Sequence, residues 1–390
     1  MDIFTIAEKY QNYLIEKRRW FHAHPELSGK EFNSSAAIKQ ELDKLGISWR
    51  PCGLDTGILA TITGAKPGRT ILLRGDMDAL EVREQTGLSF ASEVDGVMHA
   101  CGHDCHMAML LTAARILNDM RGELCGTVKL AFQPAEEIAA GARSMIEQGA
   151  LDGVDGCFAI HVWSDIERGR VYCPNGAAMA SAGRFRIDIQ GAAGHGATPQ
   201  LCVDAAVAAS ATVMNLQTVV SRELSPLEPS CVTVGRIQSG TRFNCVAGAA
   251  ELEGTTRAFS KAACDQFEPM IRRIAEETAR TFRASAVLHY DELTDPVVND
   301  PDVAALVRQA SCKVVAENAP INIPPLCGGE DFAYFMGKCP GAIALLGVRS
   351  EACGAVWPQH SDKYCVDEEM LLRGAMLYAQ TALDFNAETR

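Results

Sequence analysis

The sequence predicts an α/β protein interrupted by a second, smaller unit, and three observations carry that expectation. Three apolar runs each lead to a polar group: Ile71-Leu72-Leu73 to Asp76, Val128-Lys129-Leu130-Ala131-Phe132 to Glu136, and Phe158-Ala159-Ile160 to His161. Helical periodicity separates them, strongly at Met107, Leu110, Leu111, Ala114 and Leu117 and more briefly over 141–149. Alternating strands and helices build a sheet whose ligands gather beyond the carboxyl ends of its strands. From about 183 to 293 the order changes to strand 185–190, helix 200–221, strands 230–237 and 250–258, helix 265–282 and strand 285–290. That βαββαβ order is the ferredoxin-like arrangement.

Taken from the start, Ile3, Ile6, Ala7, Tyr10, Tyr13, Leu14 and Phe21 lie at helical spacing and read as one helix over 3–21, followed by another over 33–45 that ends at Gly46. The three strands and their helices follow. In the insert, Phe267, Met270, Ile271, Ile274, Thr278 and Phe282 share one face of the second helix. After Pro296, a helix near 302–316, the apolar run Ile343-Ala344-Leu345-Leu346 and a closing helix from about 367 rejoin the first sheet. The expected domains are therefore 1–182 with 294–390, and the insert 183–293.

Composition bounds the function. The 390 residues are 47% apolar and 22% charged, which fits a chain that folds throughout in two domains. Forty-nine acidic against 36 basic residues give a net charge of −13, which argues against a broad phosphate-attracting face and hence against nucleic acid as partner. The opening residues Met1-Asp2-Ile3-Phe4-Thr5 lack a secretory pattern and no stretch approaches a membrane span, so a cytoplasmic location without a membrane partner is expected. Fifteen scattered cysteines, without zinc-ribbon pairs, suit reduced thiols in a cytosol.

Chemistry concentrates in His99-Ala100-Cys101-Gly102-His103-Asp104-Cys105-His106, just before a helix expected to begin near Asp104. A thiol near a helix N-terminus is biased toward thiolate, and Cys101 and His103 can converge on one metal; the alternative is a crowded, partly buried loop. Glu136 and Glu137 follow a strand, so one can bind a metal while the other moves a proton, although an isolated acidic pair is usually a solvated surface pair. His161 and His360, the latter in Trp357-Pro358-Gln359-His360-Ser361, are each as compatible with packing as with ligation. Together, Cys101, His103, Glu137, His161 and His360 form a mixed sulfur, nitrogen and oxygen set suited to zinc and related metals. Asp76 and Asp78 can orient such ligands from behind, or can simply end a strand. The glycine-rich Gly191 to Pro199 carries His195 but lacks the lysine of a phosphate loop.

At these residues the sequence resembles the dinuclear metallopeptidases that include aminoacylases and carboxypeptidases, most nearly the amidohydrolase branch with hippurate hydrolases and auxin-conjugate hydrolases. The matching segments are Trp20 to Leu27, Arg74 to Leu80, Met98 to His106, Phe132 to Glu137, Gly194 to Ala197, Gly328-Gly329-Glu330-Asp331-Phe332 and His360-Ser361. The resemblance implies a metal-dependent catalytic domain with a central mixed sheet flanked by helices, carrying an inserted lid and dimerisation domain. It further implies hydrolysis of N-acyl amino acids or dipeptides and two divalent metal ions per subunit, zinc or manganese first, cobalt or nickel next. Cys101, His103, Glu137, His161 and His360 match the metal ligands, and Glu136 matches the general acid/base. His195 matches a histidine supplied across a homodimer, and Asn244 and Arg257 match residues that bind a substrate carboxylate. Glu81, Gln200 and Asp362 depart from the branch, standing where proline, histidine and proline are usual. The competing expectations are a cysteine hydrolase using Cys101 and a catalytically silent metal- or peptide-binding relative.

Overall fold

A computed structural model describes residues 2–387. By contact density these divide into two compact units: residues up to 178 with 298–324 and from 331 on, and residues 179–297 with 325–330.

The first unit is built on an eight-stranded mixed sheet. Its strand order is Ser48–Pro51, Ile58–Thr63, Cys125–Gln133, Lys66–Asp76, Gly156–Glu167, Gly341–Arg349, Val171–Tyr172 and Pro320–Ile321. Lys66–Asp76 runs parallel to both its neighbours, and Gly341–Arg349 runs parallel to Gly156–Glu167. Ile71, Leu72 and Leu73 are buried on both faces, as expected of parallel strands covered on two sides. Helix His103–Asp119 packs against both Gln11–Ala23 and Glu369–Ala387.

Local rules explain where the elements differ from expectation. The opening helix is two, Ile3–Glu8 and Gln11–Ala23. Lys9 and Tyr10 instead donate to the carbonyls of Ile6 and Ala7, at 3.3 and 2.9 Å, and the tighter turn interrupts the helical ladder while the apolar spacing continues across it. The helix expected near Asp104 begins at His103. The edge strand Ser48–Pro51 and its neighbour Ile58–Thr63 add to the expected set.

The second unit has one antiparallel sheet in the order Ser230–Ser239, Ala249–Ala258, Ala182–Gln190, Ser285–Thr294. Numbered along the insert, this is 2-3-1-4, the ferredoxin-like order. Phe185, Ile187 and Ile189 face its core, where they join Phe267 and Ile271 of helix Lys261–Thr281. The helix expected over 200–221 is Ala205–Thr218: Pro199–Leu201 forms a separate tight turn, and Asp204 caps the amides of Ala206 and Val207 at 2.9 and 3.3 Å.

Glu41 ties three helices of the first unit together. Its carboxylate lies 3.1 Å from Lys17, 2.7 Å from Lys44 and 2.6 Å from Arg115. Burial alone would raise its pKa, yet these three cations hold it down at about 2. A carboxylate depressed in the folded state stabilises fully above its unfolded value and loses that contribution as pH falls through the folded one. Glu41→Gln is therefore expected to cost about 2 kcal/mol at pH 7. It should also flatten the loss of stability between about pH 4.5 and 2. Chemical denaturation at pH 7 and pH 3 checks both; equal pH dependence in the two proteins would remove Glu41 from the account.

Candidate metal centre

The sheet brings the candidate ligands to one place. Asp76 ends the central strand in register with Gln133, and Arg74 is in register with Ala159, so His161, two residues on, stands level with Asp76. Cys101 and His103 arrive on the loop entering helix His103–Asp119. Gly102 between them has φ +95°, and a Cβ there would approach Val162 Cγ2 to 2.5 Å and Tyr364 Oη to 2.7 Å, so glycine alone lets this loop turn against the strand end. His360 enters from the far end of the chain with φ +66°, its amide donating to the Ala100 carbonyl at 2.7 Å. The Gln359 side chain anchors the same turn to the Val162 carbonyl and Ser164 hydroxyl, at 3.0 and 2.9 Å.

Donor atoms from these elements converge. Cys101, His103 and His161 form one triad and Cys101, Glu137 and His360 another, with atoms in each within 4.8 Å of one another; His103, Glu136 and Glu137 form a third. The Cys101 sulfur is 3.5 Å from His161 Nε2, and Glu137 Oε1 is 3.9 Å from His103 Nε2 and 3.7 Å from His360 Nε2. His103 bonds the Asp78 carbonyl through Nδ1 at 2.9 Å, and His161 bonds the Val162 carbonyl through Nδ1 at 2.7 Å, which turns both Nε2 atoms inward. His103 Nε2 and Glu137 Oε1 are buried without any hydrogen-bond partner. Two aligned, orphaned donor atoms beside a thiol fit a divalent metal.

The charges around the basin are organised in layers. Burial opposes ionisation of Asp76, yet Arg74, His103 and His106 hold it well below the usual carboxylate range. Arg74 lies 2.5 Å from Asp76 and 3.0 Å from Asp331, and His106 bonds the other Asp76 oxygen at 2.5 Å. Burial pushes Glu137 up against the pull of His103 and His360. Burial, then the second imidazole His106, keeps His161 neutral, with its lone pair available. Cys101 corrects one expectation. Burial and the neighbouring Glu137 push its thiol well up, outweighing the helix N-terminus that was expected to favour thiolate.

Asp78 accepts from the amides of Glu136 and Glu137 at 3.1 and 3.0 Å, while the Asp331 amide approaches Glu136 Oε1 at 3.4 Å. In the insert, His195 and Asn244 meet: Cys245 pairs with His195, and the Gly196 amide donates to the Asn244 carbonyl at 2.9 Å. Arg257 does not join them. It lies eight residues beyond Ala249, toward the other end of Ala249–Ala258, roughly 26 Å along an extended strand. Its guanidinium bonds Thr255 Oγ1 at 2.5 Å and the Thr256 carbonyl at 2.8 Å.

Arg74, Gln133 and Asp331 form a buried network that sequence reasoning did not assign. Arg74 donates to Gln133 Oε1 at 2.9 Å, and Gln133 donates to Asp331 at 2.8 and 2.9 Å. All three stood in segments already singled out; their mutual contact had no signal in spacing. Glu31 carried no signal either.

Orphaned ligand atoms beside a paired carboxylate, at the strand ends of an α/β unit, define the chain as a metal-dependent hydrolase. Comparison narrows the class. Residues 72–384 match Peptidase family M20/M25/M40, and the chain belongs to that family. N-acetyl-L-cysteine deacetylase of Bacillus subtilis is 37% identical over 400 aligned positions, covering 100% of this chain and 94% of that protein. IAA-amino acid hydrolase ILR1-like 2 of Arabidopsis thaliana is 37% identical over 390 positions, covering 99% and 88%. The solved YXEP protein of Bacillus subtilis, described as a dinuclear metal binding peptidase of this family, aligns with a TM-score of 0.85 at 35% identity, covering 96% of this chain and 98% of that one. The family, the hydrolase class and the α/β architecture with an inserted domain are those the sequence led us to expect.

Glu136→Gln is expected to abolish turnover with metal content nearly intact, whereas Glu137→Ala and Cys101→Ala lose metal as well as activity. Metal analysis of the purified variants separates the roles. Metal-free Glu136→Gln or fully metallated Glu137→Ala would reverse them.

Proposed function

We propose that the protein hydrolyses the amide bond of N-acyl amino acids or dipeptides that keep a free carboxylate, with two divalent ions held by Cys101, His103, Glu137, His161 and His360. The observation that carries this reading is the pair of triads sharing Cys101, with Glu136 beside them. Zinc or manganese suits the donor set best, with cobalt or nickel next. The named activities of the relatives, on N-acetyl-L-cysteine and on amino acid conjugates, support the substrate class. Fifteen unpaired thiols suit a reducing cytoplasm, and no helix among the described residues is long and apolar enough to cross a membrane.

Bound divalent ions would supply Lewis acidity, lowering the pKa of water toward ~7 and polarising a carbonyl. The chain's own residues do the rest. Glu136 takes the proton of the attacking water and passes it to the leaving nitrogen. His195 holds a donor toward the carbonyl oxygen: the Ala197 amide donates to its Nδ1 at 3.0 Å, so a neutral ring carries its hydrogen on Nε2. Arg257 offers a two-pronged partner to the substrate carboxylate, and Asn244 a further hydrogen bond. A nucleophilic role for Cys101 is less well supported, because its buried thiol is pushed well above its ordinary range.

In this reading the enzyme is a homodimer in which His195 acts across the interface in the partner's site. Ser230–Ser239 is an edge strand with one side unpaired among the described residues, and the helix beside it exposes Val207 and Met214. Such an edge is a template for a second chain.

A panel of N-acetyl, N-benzoyl and dipeptide substrates, assayed with each of the four metals, tests the activity; no turnover by any metallated form would favour a silent binding relative. For the dimer, inactive His195→Ala and Glu136→Gln chains unfolded and reassembled together should recover part of the activity, since one hybrid site holds both groups. Demonstrated heterodimers without activity would place His195 in its own chain's site. Arg257→Ala is expected to raise KM about tenfold with kcat little changed, and methylating the substrate carboxylate should hurt the wild type far more than the variant. Equal loss in both would exclude that pairing.

A further inference from the structure

The loop that carries the paired carboxylates is gripped through its main chain. Ala135 and Ala139 have φ of +52° and +54°, left-handed values that cost energy in any residue with a Cβ. Three successive amides starting at Ala135 each meet a buried carboxylate. Ala135 donates to Glu31 Oε1 at 2.9 Å, and Glu136 and Glu137 donate to the two oxygens of Asp78. Consecutive N–H groups of this kind form an anion-binding cradle, here filled by the protein itself.

Glu31 is fully buried, and its other bonds are local to the first unit. Oε1 also accepts from the Gly29 amide at 2.8 Å, and Oε2 from the Thr56 hydroxyl at 2.7 Å. Asp78 touches His103 as well as the cradle, so removing Asp78 would disturb ligand and loop together. Gly29, Thr56 and Ala135, which bond Glu31, all lie outside the candidate ligand set. A left-handed alanine immediately before Glu136 persists only where its surroundings enforce it, and Glu31 is the group that grips its amide.

We propose that Glu31 is a positioning residue for catalysis: by holding Ala135 in the left-handed conformation it sets the direction from which Glu136 meets water and the scissile amide. The proposal rests on the reading of Glu136 as proton carrier.

The experiment uses metal-loaded enzyme and the N-acyl amino acid turned over fastest in the panel above. Glu31→Ala should lower kcat about 100-fold, the scale of an ångström's misplacement, while bound metal is unchanged. KM should stay within about threefold, because substrate contacts are untouched. Adding Ala135→Gly, which frees the left-handed backbone of its cost, should recover about tenfold or more of the lost kcat. Glu31→Gln keeps an acceptor for the amide and should stay within about threefold of wild type. If Glu31→Ala does not fold by circular dichroism, Glu31→Asp, one methylene too short to keep both Gly29 and Ala135, takes its place in the same comparison with Ala135→Gly. A wild-type kcat in the truncated variant, a loss that follows metal content, or no recovery from the glycine each overturns the proposal. Glu136→Gln is run alongside: if it is active, the proton-carrier reading itself fails; if it is inactive while Glu31→Ala keeps full kcat, only the positioning role fails.

Discussion

The structure of the first unit is governed by one constraint, the burial of several carboxylates at the ends of parallel strands. Asp76, Asp78, Asp331 and Glu31 are all withdrawn from solvent, and none can stay charged there without donors to replace water. The chain answers each one differently. Arg74 serves Asp76 and Asp331 at once, backbone amides serve Asp78, and a hydroxyl with two amides serves Glu31. Arg74 is therefore as much a part of the core as Phe132 or Phe158: removing it would leave buried negative charge without its cation, a loss that breaking such a pair usually makes severe.

This arrangement separates supporting groups from candidate ligands. The imidazoles of His103 and His161 each spend one nitrogen on a backbone carbonyl, so ring orientation is decided before any metal arrives. His106, one helical turn beyond His103, spends both: Nδ1 on Asp76, and Nε2 as acceptor for the Val162 amide. It is thus a strut between two strands, although it sits in the same motif as the candidate ligands. The distinction lies in which ring atoms remain unpartnered.

Much of this was legible in the sequence for a physical reason. Apolar runs that lead to a polar side chain mark the sheet strands: Asp76 ends its strand as expected, whereas His161, expected at a strand end, stands in the middle of Gly156–Glu167, and the parallel register brings the two together although they are far apart in the chain. The βαββαβ order of the insert was legible because its second helix carries strong periodicity. What could not be read was contact between segments with no shared pattern. Glu31 lies in Gly29-Lys30-Glu31-Phe32, where composition suggests nothing more than a helix start. The break at Lys9–Tyr10 leaves the apolar spacing intact. Asn244 and Arg257, 13 positions apart in number, are separated by most of a strand's length, so nearness in sequence misleads where backbone is extended.

A loop gripped by its main chain, where the proposed proton carrier sits, has an evolutionary consequence. Amides are present whatever the side chain, so the cradle formed by Glu31 and Asp78 makes few demands on the side chains that follow the two glutamates. Ile138 projects into solvent from this loop, 61% exposed, without a packing duty of its own. Drift at such a position leaves the geometry of Glu136 untouched while altering the surface beside it. Selection can then explore new substrates on a chemical apparatus that stays the same, one way for a single fold to supply enzymes as differently named as a cysteine deacetylase and a plant conjugate hydrolase.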